Sequence, residues 1–271
     1  MRVDAIDHLH LLVPDLEKTK ALFTALIGGD YTESYGSEDW NVWSVWYTRG
    51  GMEIMQPRDP SRPIVGGHRG DRMGVFGMAF RVGDLDAAIP GAQALGLKVR
   101  SRMGSEEAGF GKWIVQAQFE TRDTMGVSIE LAQRQRPDDP LYSAFRELID
   151  HVELYVHDLP RAVELFSALT GWEFPTPARV DELEAITTMN GLGVKITQPL
   201  SAASPVAASL ASRGEGVRTL ALTTPDLEVG VAMAQAAGLR LTGRGEETDS
   251  RRCACFDPED TFGLNLKLVE L

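Results

Sequence analysis

Two hydrophobic rhythms alternate along this chain. Short runs rich in β-branched and aromatic residues give way to stretches where apolar residues recur every three or four positions. The first reads as strand, the second as a helix with one buried face. Leu9 to Val13 is such a strand-like run, and Leu22, Phe23, Leu26 and Ile27 follow at helical spacing. The same order returns with Val152 to Val156, then Ala162, Leu165, Phe166 and Leu169. Asp15 and Asp158 stand where a helix N-cap belongs, and Gly28-Gly29 and Gly171 where a helix stops.

The repetition extends to identity. Ile6-Asp7-His8 recurs as Ile149-Asp150-His151, 143 positions later. A weaker form appears inside each half. Met78 to Val82 precedes Asp84-Leu85 and a helix ending at Gly96; Leu220 to Thr223 precedes Asp226-Leu227 and a helix ending at Gly238. Pro90 lies inside the first of these helices, where it kinks the helix or delays its start. Val42–Tyr47, Met52–Gln56, Trp113–Phe119 and Val127–Ala132 read as further strands. The pattern predicts an α+β protein of four β-α-β-β-β modules near residues 1–60, 74–133, 148–200 and 216–271. Paired modules make two open barrels: a first domain at 1–133 and a second at 148–271. The polar, proline-bearing stretch at 134–147 joins them.

Composition changes this picture little. The 271 residues suffice for two domains, and no apolar stretch approaches the roughly 20 residues that span a bilayer. The N-terminus lacks an apolar h-region, so no signal peptide is expected. The net charge of −12 disfavours nucleic acid and anionic membranes as partners. The two cysteines, Cys253 and Cys255, sit two apart on one strand face, a poor spacing for a bridge; a reducing cytoplasm is the expected location. A small molecule is the expected partner, and a monomer or homodimer the expected state.

The chemistry concentrates in the first half. Strand alternation puts His8 and His10 on one face. Glu53 and Glu130 each interrupt an otherwise apolar strand, a costly place for a carboxylate unless it is paired or holds a metal. With one or two imidazoles they offer three or four nitrogen and oxygen donors, a set suited to Zn, Mn, Co, Ni or Fe. Trp40, Trp43 and Trp46 cannot all share a strand face, so they divide between core and pocket wall. Trp46, Met55 and Phe110 are the candidate substrate contacts.

These features resemble the vicinal oxygen chelate superfamily: glyoxalase I, methylmalonyl-CoA epimerase, extradiol dioxygenases and bleomycin-resistance proteins. Ile6-Asp7-His8, Glu53-Ile54-Met55-Gln56-Pro57 and Asp123 to Leu131 carry the resemblance, the last being most similar to methylmalonyl-CoA epimerase. The resemblance implies metal ligands at His8, Glu53, Gly77 and Glu130. Gly77 departs from it, because the family places a histidine there; His10 on the same face as His8 is a replacement, and a three-ligand site or loss of the metal are the other outcomes. In the second half His151 keeps its position, but Lys195, Thr219 and Lys267 replace the other ligands, which marks a degenerate site. The implied function is a metal-dependent epimerase, isomerase or glyoxalase-type lyase, working through a metal-stabilised enolate with Glu130 or Glu53 as base. An iron-dependent extradiol-type dioxygenase and a non-catalytic small-molecule-binding protein of the resistance type are the alternatives.

Overall fold

The computed structural model describes residues 2–49, 51–64, 67–104, 114–120, 124–135 and 148–271. In the first half, β1 (Ala5–Leu12) leads into α1 (Leu16–Ile27), then β2 (Tyr35–Ser37), β3 (Val42–Trp46) and β4 (Gly51–Pro57). The second module follows as β5 (Gly74–Arg81), α2 (Leu85–Ala94), β6 (Val99–Met103), β7 (Ile114–Phe119) and β8 (Ser128–Arg134). The third has β9 (Ile149–Tyr155), α3 (Leu159–Thr170), β10 (Ala178–Val180), β11 (Ala185–Met189) and β12 (Val194–Pro199). After α4 (Pro205–Arg213), the fourth has β13 (Gly216–Thr224), α5 (Leu227–Ala236), β14 (Leu241–Glu246), β15 (Arg252–Phe256) and β16 (Asn265–Glu270).

The modules assemble into two eight-stranded sheets with one shared plan. The orders are β2-β3-β4-β1-β5-β8-β7-β6 and β10-β11-β12-β9-β13-β16-β15-β14. The expected α+β class and the four-module, two-sheet plan are both present. In each half, the first module's opening strand lies beside the second's, and these strands are buried along almost their whole length.

The helices show why the repeat persists. Asp15, Asp84, Asp158 and Asp226 each accept a hydrogen bond at 3.0 Å from the backbone N–H three residues on. A second acceptor reaches each helix from its own module's last strand. Gln56, Gln133, Gln198 and Glu270 accept from the N–H of Leu16, Leu85, Leu159 and Leu227 at 2.7–3.0 Å. Orphan donors of the first turn are thus satisfied locally and across the module. Gly171 ends α3 at φ 73°, a left-handed conformation that suits glycine. α2 begins at Leu85 despite Pro90, so the proline neither delays nor ends it. The stretch between the third and fourth modules holds a helix the hydrophobic rhythm did not mark. Ser204 caps α4 and Pro205 opens it, while Val206 and Leu210 pack on Tyr155 and Ala185.

By contacts the chain divides into two compact units. One holds Met1–His8, Gly77–Tyr142 and Glu153–Val217; the other holds Leu9–Phe76, Ser143–Val152 and Arg218–Leu271. The sheets follow the sequence halves, whereas each compact unit takes one module from each half. In the first unit Phe80 meets Phe166 edge-on at 6.5 Å, and the Trp172 indole donates to the carbonyl of Val3 at 3.1 Å. From residue 136 onward the expected linker lies outside the described residues. No described helix is long and apolar enough to cross a membrane.

Candidate metal centre

His8 and His10 come from β1, and Glu53 from β4 beside it in the sheet. All three are buried, and one donor atom from each lies within 4.8 Å of the others. Among the described residues this is the one group of three such donors. His10 Nε2 stands 3.7 Å from Glu53 Oε2. The other oxygen, Oε1, accepts from the Tyr35 hydroxyl at 2.5 Å and the Ser44 hydroxyl at 2.7 Å. Tyr35 and Ser44 face each other across β2 and β3, so three successive strands fix the orientation of one carboxylate. The Tyr35 phenol is held far above its usual range, by burial first and then by the charge of Glu53 and its hydrogen bond. It therefore stays a donor.

His8 is positioned by its neighbour. Its Nδ1 lies 2.7 Å from Asp7 Oδ1. Asp7 is fully buried, and its Oδ2 also receives Arg81 Nε and Arg134 Nε, each at 2.9 Å, with Arg134 Nη2 on Oδ1. Burial alone would raise this carboxyl's pKa; the hydrogen bond and charge of His8, and those of Arg134, outweigh it and hold the group well below the usual carboxylate range. A carboxylate only accepts, so Nδ1 of His8 is the donor, which leaves Nε2 as the ring nitrogen that would ligate a metal. Two imidazoles and one carboxylate, all buried and each hydrogen-bonded or paired, fit a divalent transition metal.

Glu130 is not part of this group. It lies on β8, 1% exposed, with Gln118 directly opposite on β7 donating to its Oε1 at 2.8 Å. Trp46 is buried opposite Glu53 on the paired strand. Met55 packs in an apolar cluster with Leu12, Val42, Ile64 and Phe76. Phe76 also lies 5.5 Å from the His10 ring and stacks on His68 at 4.6 Å. Trp43 is 42% exposed beneath the Arg58 guanidinium, so the tryptophans do divide between faces. Phe110 lies outside the described residues. Tyr35, Ser44, Arg81, Arg134 and Gln118 escaped the sequence reading. Only Asp7 left a signal, because Asp-His recurs in both halves.

The second sheet repeats the Asp-His clamp, with buried Glu153 at the position of His10 and lysines at the positions of Glu53 and Glu130. His151 Nδ1 is 2.6 Å from Asp150, which also receives Arg251 Nη1 at 2.5 Å. Lys267 donates to Glu247 at 2.5 Å, and Lys195 is buried.

A model of the Glyoxalase/Bleomycin resistance protein/Dioxygenase superfamily matches the chain twice, over residues 7–111 and 150–256. No curated protein matches the sequence. A triple variant of 4-hydroxymandelate synthase from Streptomyces coelicolor matches at 15% identity over 100% of this chain and 93% of its own, with a TM-score of 0.74, a likeness of fold. Methylmalonyl-CoA epimerase from Mycobacterium tuberculosis matches at 25% identity over 45% of this chain and 87% of its own, at 0.43. The Streptomyces coelicolor epimerase in complex with 2-nitronate-propionyl-CoA matches at 26% over 45% and 96%, at 0.42. With the model matched once in each half, the chain belongs to the Glyoxalase/Bleomycin resistance protein/Dioxygenase superfamily.

Proposed function

We propose that this chain is a metal-dependent isomerase, epimerase or glyoxalase-type lyase acting on a small substrate with two neighbouring oxygens. The carrying observation is the buried group of His8, His10 and Glu53. In this reading His10 supplies the donor that Gly77 lacks, and one divalent ion (Zn, Mn, Co, Ni or Fe) is held on the three residues. When bound, the ion supplies Lewis acidity that makes a carbon–hydrogen bond beside a carbonyl acidic. The chain's own residues divide the remaining work. Glu53, fixed through Oε1 by Tyr35 and Ser44, suits a ligand better than a mobile base. Glu130, steadied at Oε1 by Gln118, is the carboxylate that takes and returns the substrate proton. Trp46 and Met55 form the apolar wall beside Glu53.

Elemental analysis and solvent-deuterium exchange test this. About one metal per chain is expected, and substrates with a proton next to a carbonyl exchange it. Glu130→Gln keeps the metal and loses exchange by roughly 100-fold or more. Unchanged metal content in His10→Ala would remove His10 from the site.

The same donor set favours a second reading. Two histidines and one carboxylate are the ligands of non-haem Fe(II) oxygenases. Iron in the protein and O₂ uptake with substrate, without deuterium exchange, would select it. Metal-free protein that binds a small molecule without turnover would select a binding protein instead.

A further inference from the structure

The two sheets differ most tellingly at equivalent register positions. On β7, Gln116 and Gln118 face Ala132 and Glu130 of β8. On β15, Cys253 and Cys255 face Val269 and Lys267 of β16 in the same relation. The outer neighbours change with them. Met103 and Ser101 flank the glutamines from β6, while Gly245 and Gly243 flank the cysteines from β14. Thus four positions that carry polar or bulky side chains in the first sheet carry two thiols and two glycines in the second.

Cys253 and Cys255 are alternate residues of one strand, so both thiols stand on one face. Cys253 is buried and Cys255 is partly open to solvent. The glycines keep that face clear. A Cβ at Gly245 would meet only Cys253 Sγ, at 3.9 Å, and one at Gly243 would meet nothing within 4 Å. Lys267, across from Cys255, is anchored by Glu247 at 2.5 Å. The Cys253 thiol is pushed up by its hydrogen bond to Cys255 and by burial, while the Lys267 ammonium works the other way. The two thiols are thus within hydrogen-bonding reach of each other, with the Lys267 ammonium favouring and the Glu247 carboxylate opposing negative charge there.

We propose that Cys253 and Cys255 form a dithiol site for a soft, thiophilic metal ion of the Cu(I) type, separate from the hard-donor centre of the first sheet. Paired thiolates are the ligands that select such ions, and two suffice for a linear Cu(I) complex. Binding displaces the thiol protons, and no electron transfer is involved.

The test uses the intact chain under anaerobic reductant, with Cu(I) supplied from a chromophoric Cu(I) chelator. The wild-type protein is expected to withdraw one Cu(I) per chain and gain thiolate-to-metal charge-transfer absorbance. Cys255→Ser, at the partly open position, spares the core and is expected to lower affinity at least tenfold and abolish the band. Cys253→Ser does the same, and His8→Asn leaves the band intact. Equal withdrawal by the wild type and the Cys253→Ser/Cys255→Ser double variant would overturn the proposal. So would a band that survives in the double variant or vanishes in His8→Asn.

Discussion

Replacing Asp7 by alanine tests how the first histidine is held. The side chain is fully buried and accepts from His8 Nδ1 at 2.7 Å, from Arg81 Nε and Arg134 Nε at 2.9 Å each, and from Arg134 Nη2. The side chains of Arg81 and Arg134 are only 9% and 2% exposed. Removing the carboxylate strands two guanidinium groups in a poorly hydrated place. Deleting one partner of a buried ion pair costs about 3–5 kcal/mol, a large share of the roughly 5–15 kcal/mol that holds a domain together. Two cations around one anion place the expected loss at the upper end, about 4–5 kcal/mol. Asp7→Asn keeps the shape but loses the charge and sets an N–H donor against the donors on one oxygen, so a loss close to that of alanine, about 3–5 kcal/mol, is expected. Urea unfolding with unchanged slope measures both. Metal titration of the folded fraction reads the second consequence. Without its anchor His8 no longer presents Nε2, and affinity falls by about 10–100-fold. A loss below about 1 kcal/mol for Asp7→Ala, with metal affinity intact, would refute both parts of this reasoning.

Other consequences are as definite. Tyr35→Phe removes the 2.5 Å hydrogen bond to Glu53, so metal affinity should fall about tenfold while the melting temperature moves little; unaltered affinity would dismiss Tyr35 as a support. Asp150 is depressed: burial opposes the shift, but hydrogen bonds from His151 and Arg251 and their charges outweigh it. Its contribution is therefore complete above the unfolded value of about 4 and fades as pH falls below that toward the depressed folded value, whereas Arg251→Met should flatten that acid limb in unfolding curves. Pro90→Ala restores a helical N–H at an exposed position of α2 and should stabilise by about 1 kcal/mol or more; destabilisation would show that Pro90 fits its site. Asp158→Ala should cost about 1 kcal/mol by removing the α3 cap, measured by the same unfolding assay.

Local physics wrote the modular plan into the chain. Apolar periodicity, four aspartate caps and the Asp-His echo depend only on near neighbours, so strand-helix-strand order, the α+β class and the two halves were all readable. His8, His10 and Glu53 were readable too, because a carboxylate or imidazole within an apolar strand stands out by its desolvation cost. What gathers around them was not. Tyr35, Ser44, Arg81 and Arg134 reach Glu53 and Asp7 from other strands, and their pairing follows from sheet order and register. The four strand-end acceptors that cap the helices were invisible for the same reason, since each lies about 40–50 residues from the N–H it satisfies. Tertiary structure also decided how the modules are distributed. The sheets keep to the sequence halves, yet each compact unit joins a module from one half with a module from the other. Repetition in sequence shows which segments are alike; which segments share a core depends on apolar faces that meet only in the folded chain.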